Sequence, residues 1–265
     1  MTAIRCERVS ISLGGRPILA DVTLAIEEGE FIGVLGANGA GKTTLMRAIL
    51  GMIDTSGGAM RVFDAPVRRG NPAIGYAPQV RSPVLQSRLS GWDFVASVAN
   101  GHRFGLPWRS PADRRDVARA LHLVGAEALA RRPISELSGG ERQRLVVAQA
   151  LIGSPKLLLL DEPLISLDPR HQQDVIDMVR DIARALKITV LFSAHEINPL
   201  LGALDRVLYL GGAHAALGRV DEVITGPVLS RLYGSEIEVI RLRDRIFVMS
   251  SSGHDLEHDA HQHDH

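Results

Sequence analysis

The 265-residue chain has very little cysteine. Cys6 is the single cysteine, so neither a disulfide framework nor a thiolate metal cage can form. This usage predicts a protein of a reducing compartment such as the cytosol. The first ten residues, MTAIRCERVS, carry charges too early for the apolar core of a secretory signal. We therefore expect no export.

Long apolar runs and net charge are also missing. The longest aliphatic stretches, such as Leu157–Leu160, are far shorter than the roughly 18 apolar residues that a membrane span requires. If the protein serves a membrane, it does so from the water side. The 30 Lys and Arg residues balance the 30 Asp and Glu residues, which gives no electrostatic reason for a nucleic-acid partner. We predict that there is none.

The sequence does contain a clear succession of strand and helix patterns. Short strands separated by turns come first, a helical stretch follows, and buried strands such as KLLLL and ITVLF then alternate with helices. This order predicts an α/β fold. The predicted parts are a main domain at 1–235, a helical subdomain inserted in it at about 80–150, a β hairpin at 236–250 and a disordered His/Asp-rich tail at 251–265.

The segment GVLGANGAGKTT has the pattern of a phosphate-binding loop, between a predicted strand and a helix expected from Lys42 to about Ile53. Its glycines let backbone N–H groups turn toward phosphate oxygens, and the helix start adds positive potential. Lys42 would reach the phosphates, and the Thr43 hydroxyl would bind Mg²⁺. This placement argues against a glycine-rich turn without function. The candidate nucleotide-binding residues of the loop are Gly36, Asn38, Gly39, Ala40, Gly41, Lys42, Thr43 and Thr44.

The segment KLLLLDEP is an aliphatic strand that ends in acids. It places Asp161 at the carboxyl edge of a sheet, where open α/β sheets bind ligands and where a carboxylate can hold Mg²⁺. Glu162 follows and could polarise the attacking water. An acid after a strand is often an ordinary strand exit. Together with the loop, however, it predicts a site for nucleotide hydrolysis.

The segment LSGGERQR predicts a second anion site about a hundred residues after the first. Ser138, Gly139 and Gly140 would open a helix, so that a hydroxyl and N–H groups face outward. The same residues would also cap that helix. One nucleotide needs only one such cradle, so the second one calls for a further explanation.

These three motifs, in this order and spacing, resemble the ATPase subunits of ABC transporters from about residue 3 to residue 225. The resemblance implies a P-loop NTPase of the ABC ATPase type, with an antiparallel β subdomain and an inserted helical subdomain. It implies ATP and Mg²⁺ as ligands. It also implies a homodimer in which two ATP molecules lie between the phosphate loop of one chain and Ser138–Gly140, the signature, of the other.

Further roles follow residue by residue from the same resemblance. Gln79 in YAPQ is similar to the glutamine that senses Mg²⁺ and water, Asp168 in SLDP to the D-loop acid, and His195 in SAHE to the histidine at the γ-phosphate. Without the resemblance, a lone Gln is uninformative and a lone His is more often structural. The implied catalytic residues are Glu162, His195, Gln79 and Lys42, and the implied Mg²⁺ ligands are Thr43, Gln79 and Asp161.

One position departs from the family pattern. The family usually places an aromatic residue where the adenine stacks, and the matching residue here is Leu13 in SISLGGRP. Leucine keeps apolar contact but loses stacking, which is worth roughly 1–3 kcal/mol for a base on an aromatic face. We expect looser nucleotide affinity or base selectivity.

The resemblance leaves the role of the ATPase open. A transporter subunit would lie on the cytoplasmic face of the inner membrane, beneath permease subunits, with an extracytoplasmic substrate-binding protein as an indirect partner. The residues Leu89, Trp92, Phe94 and Val95 would form the docking groove or pack within the helical subdomain. The alternatives are a soluble ABC ATPase acting on ribosomes or DNA and a metal-binding protein with an inactive nucleotide fold.

The cargo is indicated by graded similarity and by the tail. NPAIGYAPQ, ALGRVDEVIT and the terminal hairpin resemble the zinc and manganese importers most, although iron-siderophore, haem and cobalamin importers share most of these features. The tail has acids interleaved with histidines, two pairs of which are four residues apart and could converge on zinc in a helix. A solvated terminus is the alternative. The tail histidines are His254, His258, His261, His263 and His265.

Overall fold

The computed structural model describes residues 1–79, 88–98 and 110–250. Its strands are β1 (Thr2–Leu13), β2 (Arg16–Glu27), β3 (Phe31–Leu35), β4 (Gly57–Val62), β5 (Ala65–Pro66), β6 (Ile74–Ala77), β7 (Leu157–Leu160), β8 (Thr189–Ser193), β9 (Arg206–Gly211), β10 (His214–Gly218), β11 (Ile237–Leu242) and β12 (Arg245–Ser250). Its α-helices are α1 (Lys42–Ile49), α2 (Gly91–Ala96), α3 (Pro111–Leu123), α4 (Gly139–Ala150), α5 (Pro169–Leu186), α6 (Val220–Val223) and α7 (Gly226–Tyr233). Among the described residues, no helix is both long and apolar enough to cross a membrane.

The chain forms two units, one made of Met1–Asn71 and Leu191 onward, the other of Pro72–Val190. The first unit contains an antiparallel sheet of order β2-β1-β4-β5. Five residues of β1 are buried, in an alternation that is interrupted by irregular pairing with β2. One of them is Cys6, and burial raises the pKa of its thiol to about 12, so this cysteine is unreactive at neutral pH.

The first unit also holds the strand that precedes the phosphate loop. All five residues of β3 are buried, and β3 pairs in parallel with β9, which pairs in turn with β10. The Ala194 N–H donates to the Val34 carbonyl at 3.1 Å, so the chain leaves β8 beside the end of β3. Phe31 and Phe192 stack with ring centroids 5.8 Å apart. These contacts fix the carboxyl end of β3, where the loop begins.

The second unit combines the parallel strands β6 and β7 with the helices α2 to α5. Helix α4 is central to its packing, and the Gln149 side chain donates to the Phe94 carbonyl of α2 at 3.0 Å. Helix α3 begins with a capping box. The Ser110 hydroxyl accepts from the Asp113 N–H at 3.1 Å, and the Asp113 carboxylate accepts from the Ser110 N–H at 2.9 Å.

One helix prediction needs correction. Helix α1 ends at Ile49, four residues before Ile53, because Gly51 adopts a left-handed φ of 68° that ends the helix. After β8, Asn198–Leu200 forms a single 3₁₀ turn. There the Asn198 side chain donates to the Ile246 carbonyl at 2.9 Å and accepts from its N–H at 2.8 Å. These two hydrogen bonds to β12 hold the C-terminal hairpin on the rest of the first unit.

Candidate functional site

The phosphate loop needs glycine at two positions. Gly36 has a φ of 141°, and a Cβ there would lie 2.3 Å from the Leu210 carbonyl oxygen. Gly41 has a φ of 103°, and a Cβ there would lie 2.8 Å from Ile18 Cγ2. Since real Cβ atoms do not approach that closely and L-residues rarely adopt such angles, both glycines are required by the loop's backbone. Asn38 and Gly39 are exposed, and Ala40 is half-buried.

The start of helix α1 is suited to an anion. Gly41 is its N-cap and provides no side-chain hydrogen bond, and the first turn contains no acidic residue. The positive end of the helix is therefore not neutralised by a carboxylate of that turn. Thr43 and Thr44, in the first turn, are half-buried.

Lys42 lies over the loop rather than in solvent. Its side chain is 5% exposed, and its Nζ donates to the Gly36 carbonyl at 2.7 Å and to the Ala37 carbonyl at 3.4 Å. A buried ammonium needs such acceptors. The charge is thus held at the loop, where a phosphate would be bound.

Asp161 ends β7 in the second unit and is 2% exposed. Its N–H donates to the Ala77 carbonyl at 2.9 Å, which continues the pairing with β6. The Tyr76 hydroxyl donates to its carboxylate at 3.3 Å. Sequence reasoning missed Tyr76, because nothing in the local pattern of β6 indicates that its hydroxyl reaches Asp161.

Glu162 and Gln79 are in direct contact. The Gln79 Nε2 donates to Glu162 Oε2 at 2.6 Å, and both side chains are half-buried. Glu162 has a left-handed φ of 51°, which is uncommon for a residue with a Cβ and often occurs at functional sites. One amide hydrogen of Gln79 therefore orients one carboxylate oxygen of Glu162.

The signature starts helix α4 with a capping box. The Ser138 hydroxyl accepts from the Glu141 N–H at 3.3 Å, and the Glu141 carboxylate accepts from the Ser138 N–H at 2.8 Å. An anion at this helix start would thus be met by the N–H groups of Gly139 and Gly140, with the Ser138 hydroxyl proton. The predicted capping role is therefore present. Because the capping box uses the N–H groups of Ser138 and Glu141, fewer N–H groups face outward than the sequence predicted.

The pKa of Glu141 is lowered, first because the Ser138 backbone N–H donates to its carboxylate and further because the Arg132 guanidinium lies 2.8 Å away. Since the pKa is lowered in the folded chain, this stabilisation is present above the usual carboxyl range and is lost as the pH falls through the lowered value. The capping box is therefore intact at neutral pH.

The two remaining candidates are placed at the ends of elements. His195 follows β8 and is exposed; the Ala194 contact with Val34 brings this part of the chain to the same sheet edge as the phosphate loop. Asp168 is the N-cap of α5 and accepts from the N–H groups of Arg170 and His171 at 3.1 and 3.2 Å. The His171 ring also bonds to the Asp168 carboxylate, and this bond is the first cause of the lowered pKa of Asp168.

Of the predicted docking residues, Phe94 is 7% exposed and Val95 is fully buried, whereas Leu89 is 42% exposed. Phe94 and Val95 thus pack within the second unit, whereas the Leu89 side chain is exposed and could contact a partner. The five tail histidines lie outside the described residues. Within the described ranges, no group of three or more His, Cys, Asp or Glu side chains is arranged to hold a metal ion.

Comparison with known proteins identifies relatives along most of the chain. A family model described as "ABC transporter" matches residues 19–165. The hemin import ATP-binding protein HmuV of Bordetella avium is 35% identical over 247 residues, which cover 89% of this chain and 94% of that protein. The zinc transport system ATP-binding protein TroB of Treponema pallidum is 33% identical over 242 residues, covering 89% and 88%.

A solved structure of an ABC transporter in an inward-facing conformation contains a chain of the same fold. Its TM-score is 0.77 at 25% identity, and the match covers 94% of this chain and 96% of that one. The predicted fold class, a P-loop NTPase of the ABC ATPase type, is confirmed by this likeness.

Proposed function

Because the chain belongs to the ABC transporter family, we propose that it powers the uptake of a transition metal ion, zinc or manganese, across the cytoplasmic membrane. The chain is the ATP-binding subunit of an ABC importer and hydrolyses ATP. The observation that carries the ATPase role is the glycine loop with its uncapped helix start and the buried Lys42. The identity of the cargo and the roles of individual residues are part of what we propose.

Loop residues 36–44 would bind ATP through its β- and γ-phosphates. Lys42 would exchange its carbonyl acceptors for phosphate oxygens, which is favourable because a charged acceptor makes the stronger hydrogen bond. The residues that would hold Mg²⁺ are the hydroxyl of Thr43, the carboxylate of Asp161 and the amide oxygen of Gln79. All three are hard oxygen donors, the kind that Mg²⁺ prefers, and when bound the ion would neutralise charge on the phosphates.

Hydrolysis would proceed by direct attack of water. The water oxygen forms a bond to the γ-phosphorus, the bond from that phosphorus to the β,γ-bridging oxygen breaks, and ADP leaves with that oxygen. Glu162 would accept a proton from the water, while Lys42 and His195 hold γ-phosphate oxygens. Such catalysis depends on positioning and charge neutralisation rather than on a covalent intermediate.

The second anion site follows from a homodimer. Ser138, Gly139, Gly140 and Asp168 of one chain would close on the ATP bound to the other, so that each nucleotide is enclosed by two chains. Because the phosphates meet the full set of donors only in the dimer, ATP favours closure and hydrolysis favours opening. That motion would be passed to permease subunits from the cytoplasmic face of the inner membrane, with Leu89 as a contact candidate.

The relatives support the proposed metal cargo, and they also favour one alternative cargo. The relatives include both the zinc transport protein TroB and the hemin import protein HmuV at nearly equal identity. A hemin importer is therefore the alternative that a specific observation favours, ahead of siderophore or cobalamin uptake. The soluble ABC ATPase is disfavoured, since importer ATPases match most of the chain.

A strain that lacks this chain tests the cargo. We expect its growth to require added zinc in chelator-treated medium, and we expect the chain on a plasmid to remove that requirement. The hydrolysis-deficient Glu162→Gln chain is the control and should not restore growth. Growth that responds to manganese alone would change the ion within the proposal, whereas growth restored by hemin and not by either ion would contradict it.

The tail supplies an independent prediction. We propose that the five tail histidines bind zinc weakly, because neutral imidazole is a common zinc ligand and the interleaved acids add oxygen donors. Calorimetric titration of the full chain should show zinc binding that is absent from a chain ending at Gly253. Equal heats for the two chains would contradict the tail site without affecting the proposed ATPase.

A further inference from the structure

The two signature glycines of the second unit are covered by the segment that contains Asp168. A Cβ added to Gly139 would lie 3.1 Å from Leu167 Cδ2, and one added to Gly140 would lie 2.9 Å from His171 Cδ2. Neither glycine adopts a positive φ. The Leu167–His171 segment therefore approaches both glycines so closely that a side chain at either position would have to displace Leu167 or His171.

The other side of the His171 ring holds Asp168. The Nδ1 atom bonds to one carboxylate oxygen, and the other oxygen accepts from the N–H groups of Arg170 and His171. Both oxygens of the D-loop acid are thus engaged from the first turn of α5. A single imidazole contacts the acid at one edge and Gly140 at another.

Stability does not account for this arrangement. The His171 and Asp168 side chains are 47% and 58% exposed, and an ion pair between exposed side chains adds little stability because water screens it. The pair adds little stability, but it links two segments that are implied to act on the same nucleotide. We therefore look for its effect in how those two segments are placed relative to each other.

We propose that His171 is a positioning residue that holds the Asp168 carboxylate and the signature in one fixed arrangement, so that each chain presents both to the ATP of its partner. This inference rests on the proposed homodimer. The imidazole has two separable tasks: its Nδ1 fixes the carboxylate, and its carbon edge fills the space above Gly140.

Three variants of the full chain separate these tasks. His171→Ala removes both, His171→Asn keeps an N–H near the position of Nδ1, and His171→Leu keeps bulk alone. We expect His171→Ala to lower kcat about tenfold through misplacement of the closing groups, and to weaken ATP-dependent dimerisation of the Glu162→Gln chain in analytical ultracentrifugation. The Kd of monomeric chain for ATP should stay within about twofold, since the phosphate loop is untouched. His171→Asn should recover most of the loss, and His171→Leu should not.

The matched control is His122→Ala, which removes an exposed histidine that pairs with Glu127 at 2.6 Å and touches neither motif. It should leave kcat and dimerisation unchanged. An unaltered kcat in His171→Ala, or equal recovery by His171→Asn and His171→Leu, would overturn the proposal.

A measurement without nucleotide separates this inference from the proposed function. If the parent chain neither binds ATP nor dimerises, the homodimer is wrong. The ring contact is then read directly from the ¹H–¹⁵N signal of Gly140. We expect His171→Ala to shift that signal and His171→Phe to restore a ring-current displacement. A Gly140 signal that is the same in the parent and His171→Ala chains would overturn the positioning role.

Discussion

Glu162→Gln should abolish turnover while leaving ATP bound. The substitution preserves shape and removes the carboxylate that would accept the proton of the attacking water, a contribution of roughly 10²- to 10⁴-fold in rate. We expect kcat to fall by at least about 100-fold and the Kd for ATP to change little. An amide oxygen at this position can still accept from Gln79 Nε2, which donates at 2.6 Å in the parent chain. The loss would thus reflect chemistry and not a disturbed contact.

Phosphate release by the full chain gives kcat, and equilibrium binding of ATP gives Kd. Glu238→Gln is the control, because Glu238 is an exposed carboxylate on β11 outside every proposed site. Turnover by Glu162→Gln above about a tenth of the parent rate would show that another group activates the water. Trapping of an ATP-bound dimer by Glu162→Gln is expected to accompany the loss of turnover.

The sequence predicted the parts of the site that depend on local pattern. The loop glycines are an example, since a strand, a glycine-rich turn and a helix start follow each other directly along the chain. The strand that ends in Asp161 was equally accessible, because a fully buried parallel strand is a continuous aliphatic run. In both places the sequence pattern and the structural feature that it predicts lie within about ten residues of each other.

The sequence could not predict contacts made between distant segments. Tyr76 reaches Asp161 across 85 positions, and the His171 ring lies beside Gly140, which comes much earlier in the chain. Tertiary packing, and not helix propensity, decides each of these features.

Leu13 is a position where a substitution could raise the affinity for nucleotide. It is 42% exposed at the end of β1 and pairs with Arg16 across the turn to β2. Two residues further along β2, Ile18 lies against Gly41 of the phosphate loop. Since a strand advances about 3.3 Å per residue, the strand end that carries Leu13 lies near the loop, and we expect it to be within reach of the base of a nucleotide bound there.

Leu13→Tyr should therefore tighten ATP binding. Base stacking on an aromatic face is worth roughly 1–3 kcal/mol, which corresponds to about 5- to 150-fold in Kd, and leucine supplies only apolar contact. We expect about a tenfold lower Kd for ATP and for GTP alike, because every base has a π-face. Equilibrium binding to the full chain measures this effect.

Two controls assign that gain to stacking. Leu186→Tyr places the same side chain at a leucine of matched exposure, 44%, on helix α5, and should leave the Kd unchanged. Inorganic triphosphate, which has no base, should bind the parent and Leu13→Tyr chains equally. A tighter Kd for triphosphate would mean that the substitution acts on the phosphate loop. An unchanged Kd for ATP would mean that the base does not lie on this strand end, and the adenine contact would then have to be sought elsewhere in the first unit.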